Sequence, residues 1–227
     1  MDLKLFSFKN QPPASLSTEI RLLLPVFLAF TFFFGCFLII PPTKTLILGG
    51  LMIAYFIPPS GKESLIPVGI ALGIPWWLMA FTLTFLDVVT ALFMILNFDL
   101  VLRLPYIGPW ATKFLNSGTA FMAERPWLSR WRILGVAFFV FLPLQGTGGV
   151  GATIVGMMTG LNPGEILLAI GIGASVECLV FAIGSELILN LILTNFILGV
   201  TVALLVILTA AAGMFMYIRY RNRKRQA

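Results

Sequence analysis

Histidine is absent from the 227 residues, which removes imidazole general bases and His-ligated metal sites from consideration. Charge is scarce: 11% of residues are Asp, Glu, Lys or Arg, where a soluble chain carries about 25%. The two cysteines, Cys36 and Cys178, each lie inside an apolar run, so neither a disulfide framework nor a Cys-rich zinc site is expected. The chain has no Walker A, HExxH or GxSxG pattern, so no ATP drive, metalloprotease or serine-hydrolase chemistry is expected within it. No metal, no cofactor and no nucleic-acid partner is implied. What is abundant is apolar surface, with 59% hydrophobic residues and a mean hydropathy of +1.01. Such a chain cannot cover itself with polar groups in water, and it reads as an integral membrane protein whose first partners are lipids.

A helix needs about 20 apolar residues to cross the hydrocarbon core. Spans are expected over residues 22–40, 76–96, 163–187 and 195–218, with a turn near Glu186 to Asn195. The segment 1–21 reads as a cytoplasmic N-terminal piece ahead of an uncleaved signal anchor, since no short apolar region with a small-residue cleavage site follows it. Two apolar pieces are too short to span. Thr45–Ile57 and Ile133–Leu144 have 13 and 12 residues, about 20 Å of helix at about 1.5 Å per residue. Each ends in a Pro/Gly break, FIPPSGKES or FLPLQGTGG, and each break is followed by a second short apolar piece.

The spacing predicts a duplication. Pro58 and Gly61 match Pro143 and Gly146 at an offset of 85, while Gly69 and Gly73 match Gly156 and Gly160 at an offset of 87. Pro75 and Pro163 then open the next long helix in each half. Pro59 and Pro67 are further expected breaks. Re-entrant hairpins at 45–75 and 133–162 place both termini and the 97–132 loop on one side. That side carries every cation except Lys44 and Lys62, thirteen of the fifteen, so by the positive-inside rule it is the cytoplasmic side. The expected localisation is the plasma (inner) membrane, multi-pass. Loop 97–132 is amphipathic and suits the membrane interface, with Trp110, Trp127 and Trp131 at headgroup level, and 219–227 is a basic cytoplasmic tail. The expected fold is thus an all-α polytopic membrane protein: four full transmembrane helices and two opposed re-entrant hairpins in an inverted repeat.

Irregular backbone at membrane depth is tolerated only where it is buried in protein or lines a wet cavity, which points to the hairpin tips as the site. Lys62 and Glu63 lie in the first tip, and two adjacent charges there imply an aqueous cavity or mutual pairing. The second tip offers Gln145, Gly146, Thr147, Gly148 and Gly149. Its glycine N–H groups and the start of the returning half-helix could bind an anion, or the glycines could serve only the tight turn. Asp87 and Glu177 fall near the middle of their spans, beside small residues. Each is a candidate proton-carrying acid, or else a carboxyl that hydrogen-bonds between helices for structure. Asn162, Pro163 and Glu165 read as a helix-capping series. The pairs Gly69/Gly73 and Gly156/Gly160 suit close helix packing, and a homo-oligomer is the other arrangement they permit.

The tips GKESLIPVGIALGIP and PLQGTGGVGATIVGMMTGLNP, in hairpin–span–hairpin–span order, resemble the small multidrug export protein family and, beyond it, the DedA-like (VTT-domain) membrane proteins. In the former the first tip reads acidic, hydrophobic, Arg, Ile-Pro. Here Glu63 and Ile66-Pro67 fit, while Ser64 or Leu65 stands near the expected arginine and Lys62 is the candidate substitute for it. The resemblance implies two opposed re-entrant hairpins and transport of small hydrophobic solutes or of lipids such as undecaprenyl phosphate. The expected function is a non-enzymatic, proton-coupled secondary transporter of a hydrophobic or anionic-lipid substrate. The alternatives are a membrane scaffold and an intramembrane lipid-modifying enzyme.

Overall fold

The structure, a computed structural model, describes residues 17–57, 60–98, 131–142 and 147–202, together with 204, 205, 208, 209 and 212. Pro58, Pro59, Pro143, Gln145 and Gly146, nearly all of loop 97–132, eleven of the 24 residues of the span expected over 195–218 and the basic tail lie outside the described residues. All regular structure among the described residues is helical: α1 (Thr18–Cys36), α2 (Pro42–Ala54), α3 (Lys62–Ala71), α4 (Trp76–Leu96), α5 (Arg132–Phe141), α6 (Gly149–Met158) and α7 (Pro163–Thr194). Among the described residues three helices are long and apolar enough to cross a membrane: Glu19–Cys36, Trp76–Leu96 and Pro163–Thr194.

Local chemistry sets the boundaries. Ser17 caps α1, its Oγ accepting from the Ile20 N–H at 3.4 Å, so this helix begins before the expected residue 22. It stops at Cys36, ahead of the Pro41-Pro42 pair, and Pro42 serves as a first helical residue for α2, a position where its missing N–H costs nothing. Pro67 does not break α3 as expected. It lies inside the helix, near enough to the N-terminus that only a first-turn carbonyl is deprived of its donor. Pro75 and Pro163 open α4 and α7 as expected. In α7 the Glu165 carboxylate accepts from the Asn162 N–H at 2.8 Å, the reciprocal half of a capping box. The helix continues to Thr194, past the expected end at 187. The turn falls at Asn195, whose side chain accepts from the Leu198 N–H at 3.3 Å, and residues 196–202 are again helical.

The duplication expected from spacing has a detailed geometric counterpart. Gly73 and Gly160, 87 residues apart, are the positive-φ glycines among the described residues, at 81° and 71°. Each terminates a half-helix in the same two-bond motif. Ile74 N–H donates to Gly69 O and Gly73 N–H to Ile70 O in one half; Leu161 N–H donates to Gly156 O and Gly160 N–H to Met157 O in the other. Gly69 packs against Met79 and Gly156 against Ile166, each residue ten positions further on. A cation from the start of the first half-helix caps the end of the second. Lys44 donates to Gly73 O at 2.6 Å, and Arg132 to Thr159 O at 2.9 Å and Gly160 O at 3.2 Å. The first turn of α2 therefore lies beside the end of α3, and the first turn of α5 beside the end of α6: each pair is a helical hairpin closed at its base.

The chain forms two compact units that divide after Ala182. Within the first, α4 is the centre, 67% buried, and it packs against α1, α2, α3 and α6. Along α4, α5, α6 and α7, Ala91, Val140, Ala152, Ala169, Ile170 and Ala174 belong to one buried cluster, and the small residues allow close approach. Gly173 packs against the Ala137 carbonyl and Val140. α1 is only 11% buried and turns Leu23, Phe27, Phe30 and Phe34 outward, a face suited to hydrocarbon. Its Pro25 would orphan the Arg21 carbonyl; Asn97, at the end of α4, donates its Nδ2 to that oxygen at 2.9 Å. The start of α1 and the end of α4 are thereby held together.

Candidate functional site: a buried lysine between two carboxylates

Both hairpin tips reach the middle of α4. Gly61 is the N-cap of α3 and donates its N–H to Ser64 Oγ at 3.3 Å, so Lys62 is the first residue of the returning half-helix. Gly148 is the N-cap of α6 and Gly149 its first residue. Lys62 and Gly149 are thus equivalent positions, 87 residues apart, like the terminal glycines. Both meet Asp87, which lies eleven residues into α4, about 17 Å along a helix rising about 1.5 Å per residue.

Asp87 has no exposed surface, and its two oxygens are divided between donors from three elements. Oδ2 accepts from Lys62 Nζ at 2.7 Å. Oδ1 accepts from the Gly149 N–H at 2.9 Å and from the Tyr55 hydroxyl at the end of α2. Lys62 Nζ also donates to Glu177 Oε2 on α7, so one ammonium is shared by two carboxylates. Lys62 is 5% exposed and Glu177 fully buried. Glu177 Oε1 finds no hydrogen-bond donor among the described residues, and Thr90 Oγ1 on α4 is in the same condition. The three groups carry two formal negative charges and one positive. Thr84 on α4 donates to the Ala174 carbonyl of α7 at 3.3 Å, holding the two acid-bearing helices in register one turn from the acids.

Glycine is required where the second tip meets α4. A Cβ on Gly148 would come within 2.6 Å of Asp87 Oδ1 and 3.1 Å of the Tyr55 hydroxyl. One on Gly149 would collide with the Asp87 backbone carbonyl. The group that the Gly149 N–H meets in this tip is the protein's own carboxylate.

The structure therefore brings together Lys62, Asp87, Gly148, Gly149 and Glu177. Thr147, buried at 3% exposure, instead donates to the Leu142 carbonyl at 2.9 Å and closes its own loop. Glu63 does not pair with its neighbour. Its carboxylate lies against Gly61, while Lys62 turns to α4 and α7; consecutive helical residues point about 100° apart and cannot face each other. Gln145 and Gly146 lie outside the described residues. Tyr55 is the member of the site that sequence reasoning misses. Its one signal is a hydroxyl-bearing aromatic at the end of a half-helix, adjoining the break.

These features define a class: a helical membrane protein whose two half-helix hairpins converge on buried charges in a central helix. The family described as "Putative small multi-drug export protein" matches residues 64–180, just over half of the chain, and the protein belongs to it. Asp87, Gly148, Gly149 and Glu177 fall inside that match, with Lys62 two residues before it. No curated protein and no solved structure matches the chain.

Proposed function

We propose that the protein is a proton-coupled secondary exporter of hydrophobic or amphiphilic small solutes, with the Lys62–Asp87–Glu177 cluster as its coupling centre. The observation that carries this reading is the single ammonium held by two buried carboxylates on different long helices. An ionisable side chain at the bilayer centre costs about 2.5–3.5 kcal/mol on insertion scales. A cluster with an unbalanced negative charge is therefore kept for a purpose other than packing. One proton brings the cluster to neutrality and leaves Lys62 bound to one carboxylate instead of two. That loosens α3 from α4 or from α7, according to which acid takes the proton. Loosening one hairpin tip against the long helices is the movement that alternating access requires.

In this reading the hairpins α2–α3 and α5–α6 re-enter the membrane from opposite faces, the termini are cytoplasmic, and residues from 195 onward form a fourth span. The tips lie at mid-membrane because both touch the middle of α4, itself about 31 Å long at about 1.5 Å per residue. Of the two cargo classes open at the level of sequence, the site favours a drug-like solute over a polyprenyl phosphate. Lys62 is already shared between two carboxylates, and the Gly149 N–H is taken by Asp87. Neither is free to recruit a phosphate.

The test uses the full-length protein in liposomes under an imposed pH gradient, with a hydrophobic fluorescent dye as cargo and internal pH followed in parallel. Dye movement should be accelerated by the gradient and accompanied by proton flux. Glu177→Gln should abolish the dependence on the gradient while leaving the protein folded. Dye movement that ignores both the gradient and this substitution would end the proposal.

A further inference from the structure

The helices that carry the two acceptors are held together apart from Lys62. Asp87 is oriented by the Tyr55 hydroxyl and the Gly149 N–H, and Glu177 is carried by α7, which Thr84 ties to α4. The lysine enters from a third element, α3, and places a primary ammonium where the two carboxylates converge. We infer that Asp87 and Glu177 form a monovalent-cation site, fit for an alkali ion or a primary ammonium, which Lys62 fills as a tethered cation so that the native protein needs neither sodium nor potassium there.

Three observations carry this. Asp87 and Glu177 are both fully buried and contribute only acceptor oxygens, and a pair of negative charges at such a place requires a counter-cation. Glu177 Oε1, equally buried, has no donor among the described residues, so the acceptor capacity exceeds what one lysine satisfies. The repeat supplies the third. The position equivalent to Lys62 in the second half is Gly149, which brings only a backbone N–H. The scaffold thus closes around Asp87 without a side chain from that half, and the cation is an addition made by one half alone.

Vacating the site exposes it. Lys62→Ala removes the ammonium and leaves two carboxylates together with the space of three carbons and a nitrogen, which ethylammonium enters with the same charge and one carbon fewer. Lys62→Met removes the charge but keeps the space occupied. Thermal unfolding of the purified full-length protein is measured in choline chloride, sodium chloride, potassium chloride and ethylammonium chloride at equal ionic strength. The wild type should unfold at the same temperature in all four. Lys62→Ala should unfold at a lower temperature in choline, and its midpoint should rise saturably with ethylammonium or with an alkali ion, as linkage requires of a ligand bound only by the native state. Lys62→Met should stay low in every salt. Should Lys62→Ala fail to fold, the double variant Lys62→Ala/Glu177→Gln, which restores the native cluster's net charge, takes the same titration and should show a smaller saturable rise.

A saturable, sodium- or potassium-specific shift in the wild type overturns the inference, as does a vacated variant that responds alike to all four salts. Unfolding is read without any transport, so the cation site stands or falls apart from the proposed export. Only the corollary, that alkali ions are not the coupling ions, rests on that reading. Its measure is dye transport by the wild type with sodium or potassium replaced by choline at a fixed pH gradient, where the rate should be unchanged.

Discussion

Asp87 is the residue on which the first compact unit converges, because three elements donate to one carboxylate. Removing a donor should therefore loosen a particular helix. Tyr55→Phe deletes the α2 contact and should lower stability by about 1.5–3 kcal/mol, the range for hydrogen bonds to charged groups. Gly149→Ala tests the opposite face. Its Cβ would be driven into the Asp87 carbonyl, and overpacking of this kind costs about 1–3 kcal/mol. Denaturation of both variants in detergent, followed by tryptophan fluorescence, reads these losses. Stability equal to wild type in Gly149→Ala would mean that the second tip does not press on α4. Lys62, Asp87 and Glu177 are legible in the sequence because ionisable residues in apolar runs are conspicuous. Their partnership is not, since 25 and 115 positions separate Lys62 from its two acids and no local rule spans such distances. Glu63 misleads for the complementary reason: adjacency in sequence is not adjacency on a helix.

At the scale of elements the sequence is more informative, because glycine and proline punctuate local structure directly. The 87-residue offset between Gly73 and Gly160 is visible without coordinates, and both residues hold positive φ. Any other L-residue there carries a penalty of about 1–2 kcal/mol, so Gly73→Ala and Gly160→Ala should destabilise by similar amounts. Equivalence of the two halves is the point under test: a large loss in one with none in the other would deny that the caps are duplicates. Cationic capping of these ends by Lys44 and Arg132 is hidden in the sequence, where both residues serve only to assign sides. Helix boundaries are the least legible part. α1 is displaced by four residues at each end from its apolar run, since a serine cap and a proline pair outrank hydropathy. α7 continues to Thr194 because nothing between Glu186 and Asn195 is a strong breaker.

At the scale of the whole molecule, the proposed inverted arrangement makes a claim about sides. Lys44 ties the base of α2–α3, and Arg132 ties the base of α5–α6. Between those two bases runs α4, from Trp76, just after the first base, to Leu96, whose end is held against the start of α1 by Asn97. If α4 crosses the bilayer once, the two bases lie on opposite faces, and the positive-inside rule assigns the Arg132 base to the cytoplasm. Thr43→Cys and Asn162→Cys report on the two bases separately. The native Cys36 and Cys178 are both buried and leave a dark background for a membrane-impermeant maleimide. In intact cells the reagent should label Thr43→Cys, whereas Asn162→Cys should react only after the membrane is opened. Labelling of both from the same side would make the two hairpins parallel. The shared contacts with Asp87 would then be a meeting of tips from one face, and no closed barrier would remain for a cargo to cross.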